Sequence, residues 1–168
     1  MPLISSEFFQ NKTVRCIGIA GLIVIVDQAT KAIILNGLPL YRSVPVIAGF
    51  FNITHIHNPG GAFGFLADQH AGLRHIVFLL VSTMALGLVA YFYAQTPRNY
   101  KVLAAGYAMI LGGAVGNMID RVRFGEVIDF LDFYLGDYHW PAFNVADSAI
   151  TVGIVIFIFH LFFRKLPQ

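Results

Sequence analysis

The sequence predicts an all-α polytopic membrane protein with four transmembrane helices and a small extracytoplasmic β-sheet. Only 12% of the 168 residues are charged, 57% are hydrophobic, and the mean hydropathy is +0.71. Because a soluble domain has about 25% charged residues, 11 basic and 9 acidic side chains are too few to cover a soluble globule. This composition disfavours a water-soluble enzyme, a disordered chain and a nucleic-acid-binding protein. We expect one compact membrane domain over residues 1–168.

Four apolar segments are long enough to cross a bilayer, which takes about 20 residues. They cover residues 14–35, 76–93, 102–119 and 144–163. Basic residues precede the first segment, as in a secretory signal peptide, but Asp27, Gln28 and Lys31 within it favour a retained helix. Four spans put both termini on the same side of the membrane.

The distribution of lysine and arginine predicts the orientation of these spans. Six basic residues lie in the amino-terminal flank, the loop at residues 98–101 and the carboxyl-terminal tail, whereas the two longer loops hold four. We therefore predict a multi-pass protein with both termini in the cytoplasm. The longer loops, about 36–75 and 120–143, then lie outside.

The first outer loop contains a strand pattern. Polar and apolar side chains alternate over residues 51–57, and the sequence Asn-Pro-Gly-Gly at 58–61 is typical of a turn. This pattern predicts the small extracytoplasmic sheet. His55 and His57 would share one face of the strand, where a carboxylate could complete a zinc site, but we favour an exposed pair beside the turn.

Polar residues inside the spans indicate functional sites, because ionisable groups are costly in a bilayer. At ~1.5 Å per residue, Asp27 lies ~20 Å along the first helix and Lys31 ~6 Å farther, which is close to the outer surface. The outer ends of the third and fourth helices carry Asn117, Asp120, Arg121, Asn144 and Asp147. The four-span topology therefore predicts a single polar site near the outer leaflet.

Most of the nine acidic residues have simple structural explanations. Asp27 and Lys31 are four residues apart on one helix face, which favours an ion pair, and Asp120 adjoins Arg121. The acidic residues in polar flanks are Glu7, Asp68, Glu126 and Asp137. The acidic residues that remain are Asp129, Asp132 and Asp147.

Asp129 and Asp147 both lie among apolar neighbours, in the sequences Val-Ile-Asp-Phe-Leu and Val-Ala-Asp-Ser-Ala. Desolvation and a second nearby carboxylate each favour retention of a proton. Two such carboxylates can form an aspartic-protease dyad. The ionised one takes a proton from water, and the protonated one hydrogen-bonds to the scissile carbonyl and then protonates the leaving amine. This chemistry needs no metal and no cofactor.

Structural interpretations of the same residues stay open at this point. Asn144 and Asp147 have the spacing of a helix N-cap with an acidic third position, and Asp129 could accept backbone hydrogen bonds in a loop. Gly112, Gly113 and Gly116 are typical of close helix packing.

Two other functions compete with a peptidase: a small transporter and a non-catalytic membrane assembly factor. A transporter would have polar residues along the whole depth of the bilayer, whereas here they cluster at one side.

Five motifs stand in order along the chain. They are DQATK at 27–31, NPGGAF at 58–63, GGAVGNMIDR at 112–121, VIDF at 127–130 and FNVADSAI at 143–150. Individually these motifs are weak signals, but together they resemble the lipoprotein signal peptidase family, also called signal peptidase II. The resemblance covers essentially the whole chain.

The resemblance implies an aspartic endopeptidase of the bacterial cytoplasmic (inner) membrane. This enzyme would cleave diacylglyceryl-modified prolipoproteins on the amino side of the lipidated cysteine. The resemblance implies that Asp129 and Asp147 are the catalytic residues and that Asp132 is not one. The residues implied in substrate or inhibitor binding are Asn58, Gly60, Asn117, Arg121 and Asn144. Those implied in polar support are Asp27, Lys31 and Asp120.

The resemblance also implies a β-cradle outside the membrane and inhibition by globomycin-type peptides that occupy the site between the aspartates. The expected partners are the prolipoprotein substrates and membrane lipid. We expect a monomer that uses no cofactor or metal and binds no nucleic acid.

Overall fold

The computed structural model of this protein describes residues 11–60 and 71–164. Its long helices are α1 (Lys12–Gly37), α2 (Ala71–Gln95), α3 (Lys101–Phe124) and α4 (Val145–Phe159), and a π-helical turn, His160–Arg164, continues α4. All four helical segments are long and apolar enough to cross a membrane. The four predicted spans are therefore confirmed, and the first three helices extend a few residues beyond them.

Local sequence signals explain where several helices begin and end. The side chain of Asn11 accepts a hydrogen bond from the Thr13 amide at the start of α1. Gly125 ends α3 in the left-handed conformation, with φ of 80°, which a residue without a Cβ adopts at low cost. Asn144 and Asp147 form a reciprocal capping box at the start of α4.

A four-stranded antiparallel sheet lies at the end of the bundle where α1 and α3 finish. In order across the sheet, its strands are β1 (Ser43–Ile47), β2 (Phe51–Asn58), β3 (Val127–Leu135) and β4 (Tyr138–His139). The strand predicted over residues 51–57 is confirmed as β2. We predicted no strand at β3, because its nearly continuous apolar run lacks the alternation of a half-buried strand.

The sheet joins the membrane helices through β3. Ile128 and Phe130 pack with Ile34, near the end of α1, in the buried core of the described residues. On the neighbouring strand, Asn58 pairs with Val127 and Ile56 pairs with Asp129. This register brings the end of β2 beside Asp129, although the two are far apart in sequence.

The glycines of α3 allow the helices to pack closely, as predicted. A Cβ at Gly116 would lie 2.6 Å from Asp27 Oδ2, and one at Gly113 would overlap the Ala146 carbonyl oxygen. Gly112 meets α1 in the same way, with a hypothetical Cβ 2.8 Å from a backbone oxygen. Because these contacts leave no room for a side chain, α3 approaches both α1 and α4 at the end that holds the polar residues.

Candidate active site

Asp129 projects from β3 and is 2% exposed. Its two carboxylate oxygens accept hydrogen bonds from Asn58 Nδ2 at 2.9 Å and from Asn144 Nδ2 at 2.8 Å. Asn58 is itself oriented, because its Oδ1 accepts a hydrogen bond from the Gly60 amide at 2.9 Å. The alternative interpretation, in which Asp129 accepts backbone hydrogen bonds in a loop, does not hold: two side-chain amides donate to it, and it lies on a strand.

The environment of Asp129 favours its protonated form. Burial raises the pKa of Asp129 to about 7, and the charge of Asp147 adds to the rise, while the hydrogen bonds from Asn58 and Asn144 oppose it. The carboxyl group therefore exchanges its proton near neutral pH, which suits a general acid.

Asp147 lies in the first turn of α4. Its Oδ1 accepts a hydrogen bond from Asn117 Nδ2 at 2.7 Å, and its Oδ2 accepts one from the Asn144 amide at 3.3 Å. The Asp147 amide donates in return to Asn144 Oδ1 at 2.9 Å. The N-cap interpretation is therefore confirmed, and it leaves a carboxylate at the end of the helix bundle.

Two asparagines link the two carboxylates. Asn144 Nδ2 donates to Asp129 Oδ1 and, at 3.1 Å, to Asn117 Oδ1, and Asn117 Nδ2 donates to Asp147 Oδ1. The hydrogen-bonded sequence is thus Asp129–Asn144–Asn117–Asp147. Asn144 is fully buried and Asn117 is 5% exposed, so these hydrogen bonds are shielded from bulk water. The network therefore fixes the position of the two carboxylates relative to each other.

A buried ion cluster of Lys31, Asp27 and Asp120 contacts this network through Asn117. Lys31 Nζ lies 2.9 Å from Asp27 Oδ2, 2.7 Å from Asp120 Oδ2 and 2.9 Å from Asn117 Oδ1. The predicted Asp27–Lys31 pair is present. Asp27 also accepts from the Ala146 amide at 3.0 Å, so one carboxylate joins α1 to the start of α4.

The structural charge partner expected for Asp120 is present, but it is Lys31 and not the adjacent Arg121. Consecutive helical residues point about 100° apart, so Asp120 and Arg121 project in different directions. Arg121 Nη1 donates to the Asn117 carbonyl oxygen at 3.4 Å. Its charge interacts with the carboxylates of Asp147, Asp120 and Asp129, so Arg121 lies at the same site.

We did not predict a role for Gln28. Its Nε2 donates to Asp120 Oδ1 at 2.9 Å and to the Gly116 carbonyl at 3.2 Å. Asp120 Oδ2 in turn accepts from the Ile128 amide at 3.2 Å, which ties the start of β3 to α3. A neutral polar residue beside Asp27 in an apolar span was the available signal.

Asp132 has different partners from the other two candidate carboxylates. Asn52 Nδ2 donates to Asp132 Oδ2 at 2.9 Å, and His139 Nδ1 lies 2.8 Å from Asp132 Oδ1. Because side chains alternate across a strand, a separation of three residues puts Asp129 and Asp132 on opposite faces of β3. The structure therefore separates Asp132 from the asparagine-linked pair.

The expectation of an exposed histidine pair is wrong, because His55 is 5% exposed and His57 is half-buried. Its Nδ1 donates to the Leu38 carbonyl oxygen at 2.7 Å, and its Nε2 lies 3.2 Å from His57 Nε2. His57 also lies 3.4 Å from Glu126. Within residues 11–60 and 71–164, no group of three or more His, Cys, Asp or Glu side chains is arranged to hold a metal ion.

Gly60 adopts a φ of 86°, and a Cβ there would lie 2.7 Å from the ring of Phe78. A side chain at this position would therefore disturb both the turn and the orientation of Asn58. The rest of the motif, residues 61–63, and the flanking acids Glu7 and Asp68 lie outside the described residues.

Fold and site together define a multi-pass membrane protein with a buried, amide-linked pair of carboxylates at one end of its helix bundle. The family model described as "Signal peptidase (SPase) II" matches residues 19–163. The chain therefore belongs to the signal peptidase II family and is a peptidase.

Relatives and solved structures agree with this assignment. The chain is 54% identical over 155 residues to a lipoprotein signal peptidase of Desulforapulum autotrophicum, covering 92% of this chain and 96% of that protein. It is 53% identical over 132 residues to one of Geobacter sulfurreducens, covering 79% and 81%. A bacterial membrane enzyme structure determined by the in meso method at 2.3 Å matches with a TM-score of 0.79 at 34% identity, covering 92% and 93% of the two chains.

Proposed function

We propose that this protein is an aspartic endopeptidase that removes the signal peptide from diacylglyceryl-modified prolipoproteins. It cleaves on the amino side of the lipidated cysteine and uses Asp129, Asp147 and a water molecule. The observation that carries this proposal is the pairing of two carboxylates through Asn144 and Asn117 at the end of a membrane bundle. The names of the relatives, lipoprotein signal peptidase, support the substrate class.

The two carboxylates divide the chemistry between them. Asp147, ionised, takes a proton from a water held between the pair as the water oxygen attacks the scissile carbonyl carbon. Asp129 acts in its protonated form, which its raised pKa of about 7 favours, and donates its proton to the carbonyl oxygen. When the tetrahedral intermediate collapses, Asp147 passes its proton to the leaving amine and a hydroxyl proton returns to Asp129, so both groups regain their starting forms.

The surrounding residues position the substrate and the dyad. Asn58, Asn117 and Asn144 orient the carboxylates, and Arg121 supplies a positive charge at the same site. Gly60 adopts the positive φ that follows β2, and its amide orients Asn58 towards Asp129. We assign Asp27, Lys31 and Asp120 to the support of this arrangement.

The membrane supplies much of the substrate recognition. Two acyl chains hold a lipidated substrate in the bilayer, and each buried CH₂ group contributes about 0.8 kcal/mol. With both termini in the cytoplasm of a bacterium, as the lysine and arginine distribution favours, the dyad lies near the outer leaflet. The scissile bond beside the lipidated cysteine then meets the carboxylates at that depth. Globomycin-type peptides would compete for the same space.

Lipid modification is expected to decide whether a prolipoprotein is cleaved. The purified full-length protein in detergent should cleave a diacylglyceryl-modified prolipoprotein and leave the unmodified form of the same chain intact in a gel-shift assay. The physical reason is that the acyl chains hold the scissile bond beside the dyad. Equal cleavage of both forms would rule out the proposed substrate class, and no cleavage of either would contradict the enzymatic proposal itself.

Activity is expected to fall on the alkaline side of neutrality. The acid of the dyad must be protonated, and because burial raises the pKa of Asp129 to about 7, its proton is lost as the pH rises through that value. Above it, kcat/KM should drop about ten-fold per pH unit. The apparent pKa of this alkaline limb belongs to the coupled pair of carboxylates and not to one residue alone.

The pH profile of Asp132→Asn is the matched control, since Asp132 pairs with His139. This variant should keep the same alkaline limb as the unmodified protein. A profile that stays flat from pH 7 to pH 9, with the protein still folded, would contradict the assignment of the proton to this pair.

A further inference from the structure

A cavity with cationic residues in its lining lies at the opposite end of the bundle from the carboxylates. It has a volume of about 110 Å³ and lies among α1, α2 and α3. Its cationic lining residues are Lys12, Arg15 and Lys101, and no acidic side chain lines it among the described residues. The proposed peptidase chemistry uses none of these residues.

Lys12 is already occupied by the protein. Its Nζ donates to the backbone carbonyl oxygens of Tyr93, of Ala94 at 3.2 Å and of Thr96 at 2.6 Å. These acceptors belong to the end of α2, where carbonyl groups lack helical partners. Lys12 therefore holds the end of α2 and contributes positive charge to the cavity, but it has no hydrogen-bond donor left for a ligand.

Arg15 has a buried donor with no acceptor. Its Nε is enclosed and makes no hydrogen bond, an arrangement that is costly for a charged group. Neither Arg15 nor Lys101 forms an ion pair with any acidic residue in the described part of the chain. The cavity thus has three cationic lining residues, and one of them, Arg15, also has an unsatisfied guanidinium donor. This pattern favours an anion.

The cavity lies at the depth of lipid headgroups. Lys12 and Lys101 are the first residues of α1 and α3, and α2 ends at Gln95, so all three helices reach one bilayer surface here. Arg15 is about 4.5 Å deeper at 1.5 Å per residue. Ile19 and the alanines of α3 form the apolar wall below it, where an acyl chain would begin.

We propose that this cavity binds the phosphate of one anionic phospholipid, with Arg15 and Lys101 donating to its oxygens. Basic pockets between transmembrane helices on the cytoplasmic side are suited to anionic headgroups, and the positive-inside rule assigns this end to the cytoplasm. The planar guanidinium of Arg15 matches phosphate geometry. One lipid bound here contacts α1 and α3 beside the end of α2 and so strengthens the packing of the three helices.

The test is a titration of delipidated, full-length protein in detergent with phosphatidylglycerol, read by native mass spectrometry. We expect one saturable phosphatidylglycerol per chain. Arg15→Gln and Lys101→Gln should each weaken it about ten-fold, the usual effect of losing one charge-assisted hydrogen bond. Arg15→Lys retains the charge and should bind more tightly than Arg15→Gln, which separates the role of this residue in binding from any role in folding.

Arg98→Gln is the matched control, because Arg98 is an exposed cation at the same end of the molecule that does not line the cavity. It removes the same charge and should leave phosphatidylglycerol binding unchanged. The proposal is overturned if Arg98→Gln weakens binding as much as Arg15→Gln, or if zwitterionic phosphatidylcholine binds equally well. Displacement of the lipid by millimolar inorganic phosphate would identify a free anion as the ligand and would also overturn it.

Discussion

Asp129→Asn and Asp147→Asn are each expected to reduce cleavage of a diacylglyceryl-modified prolipoprotein by at least about 10³-fold, since general acid–base catalysis alone contributes about 10²–10⁴. Asparagine has nearly the shape of aspartate but can neither take a proton from water nor return one. Asp129→Asn keeps an acceptor oxygen for Asn58 or Asn144, and Asp147→Asn keeps one for Asn117. The measurement is a gel-shift assay in detergent, accompanied by thermal unfolding to show that each variant is folded.

The matched control is Asp132→Asn, the same change three residues farther along β3. Asp132 contacts Asn52 and His139 and is not part of the asparagine-linked network, so its variant should cleave at nearly the original rate. Full activity in Asp129→Asn or Asp147→Asn would reject the dyad. Loss of activity in all three folded variants would contradict the restriction of catalysis to the asparagine-linked pair.

Lys31→Met is expected to destabilise the protein more than any surface substitution. Lys31 is 1% exposed and forms ion pairs with both Asp27 and Asp120, neither of which is exposed. Removal of one partner from a buried ion pair costs about 3–5 kcal/mol, because a charge is left buried without compensation. Thermal unfolding in detergent should show a Tm lowered by about 6–20 °C, on the scale that applies to domains of this size.

A compensated variant tests the physical reason. Combining Lys31→Met with Asp27→Asn and Asp120→Asn removes all three charges, and neutral replacement of a buried ion cluster is often far less costly than breaking it. The triple variant should therefore unfold at a higher temperature than Lys31→Met alone. An unchanged Tm in the single variant would show that the cluster contributes nothing measurable to stability.

Local signals in the sequence were enough to predict several elements. Hydropathy predicted the four spans, alternation over residues 51–57 predicted β2, and the four-residue spacing of Asp27 and Lys31 predicted their ion pair. The N-cap at Asn144 was also predictable from the sequence, because the two residues of a capping box are three positions apart. Each of these features depends on residues within one element.

Other features depended on chain segments that are distant in sequence. β3 was missed because its residues are buried on both faces, so its apolar run has no period of two. His55 is buried because the strand places it against the Leu38 carbonyl beyond the end of α1. No local pattern indicates either contact.

By itself, the sequence determined the class of protein, its four membrane crossings and the gathering of most polar residues at one end, because charges are too few and too costly in a bilayer to be scattered. Only the tertiary structure decided which polar side chains pair with one another. Lys31 reaches Asp120 on α3, and Asn58 reaches Asp129 across the β2–β3 pairing. Asp132 turns to His139 instead. These choices follow from strand register and from glycine-mediated helix contact, which bring together residues that no spacing along the chain relates.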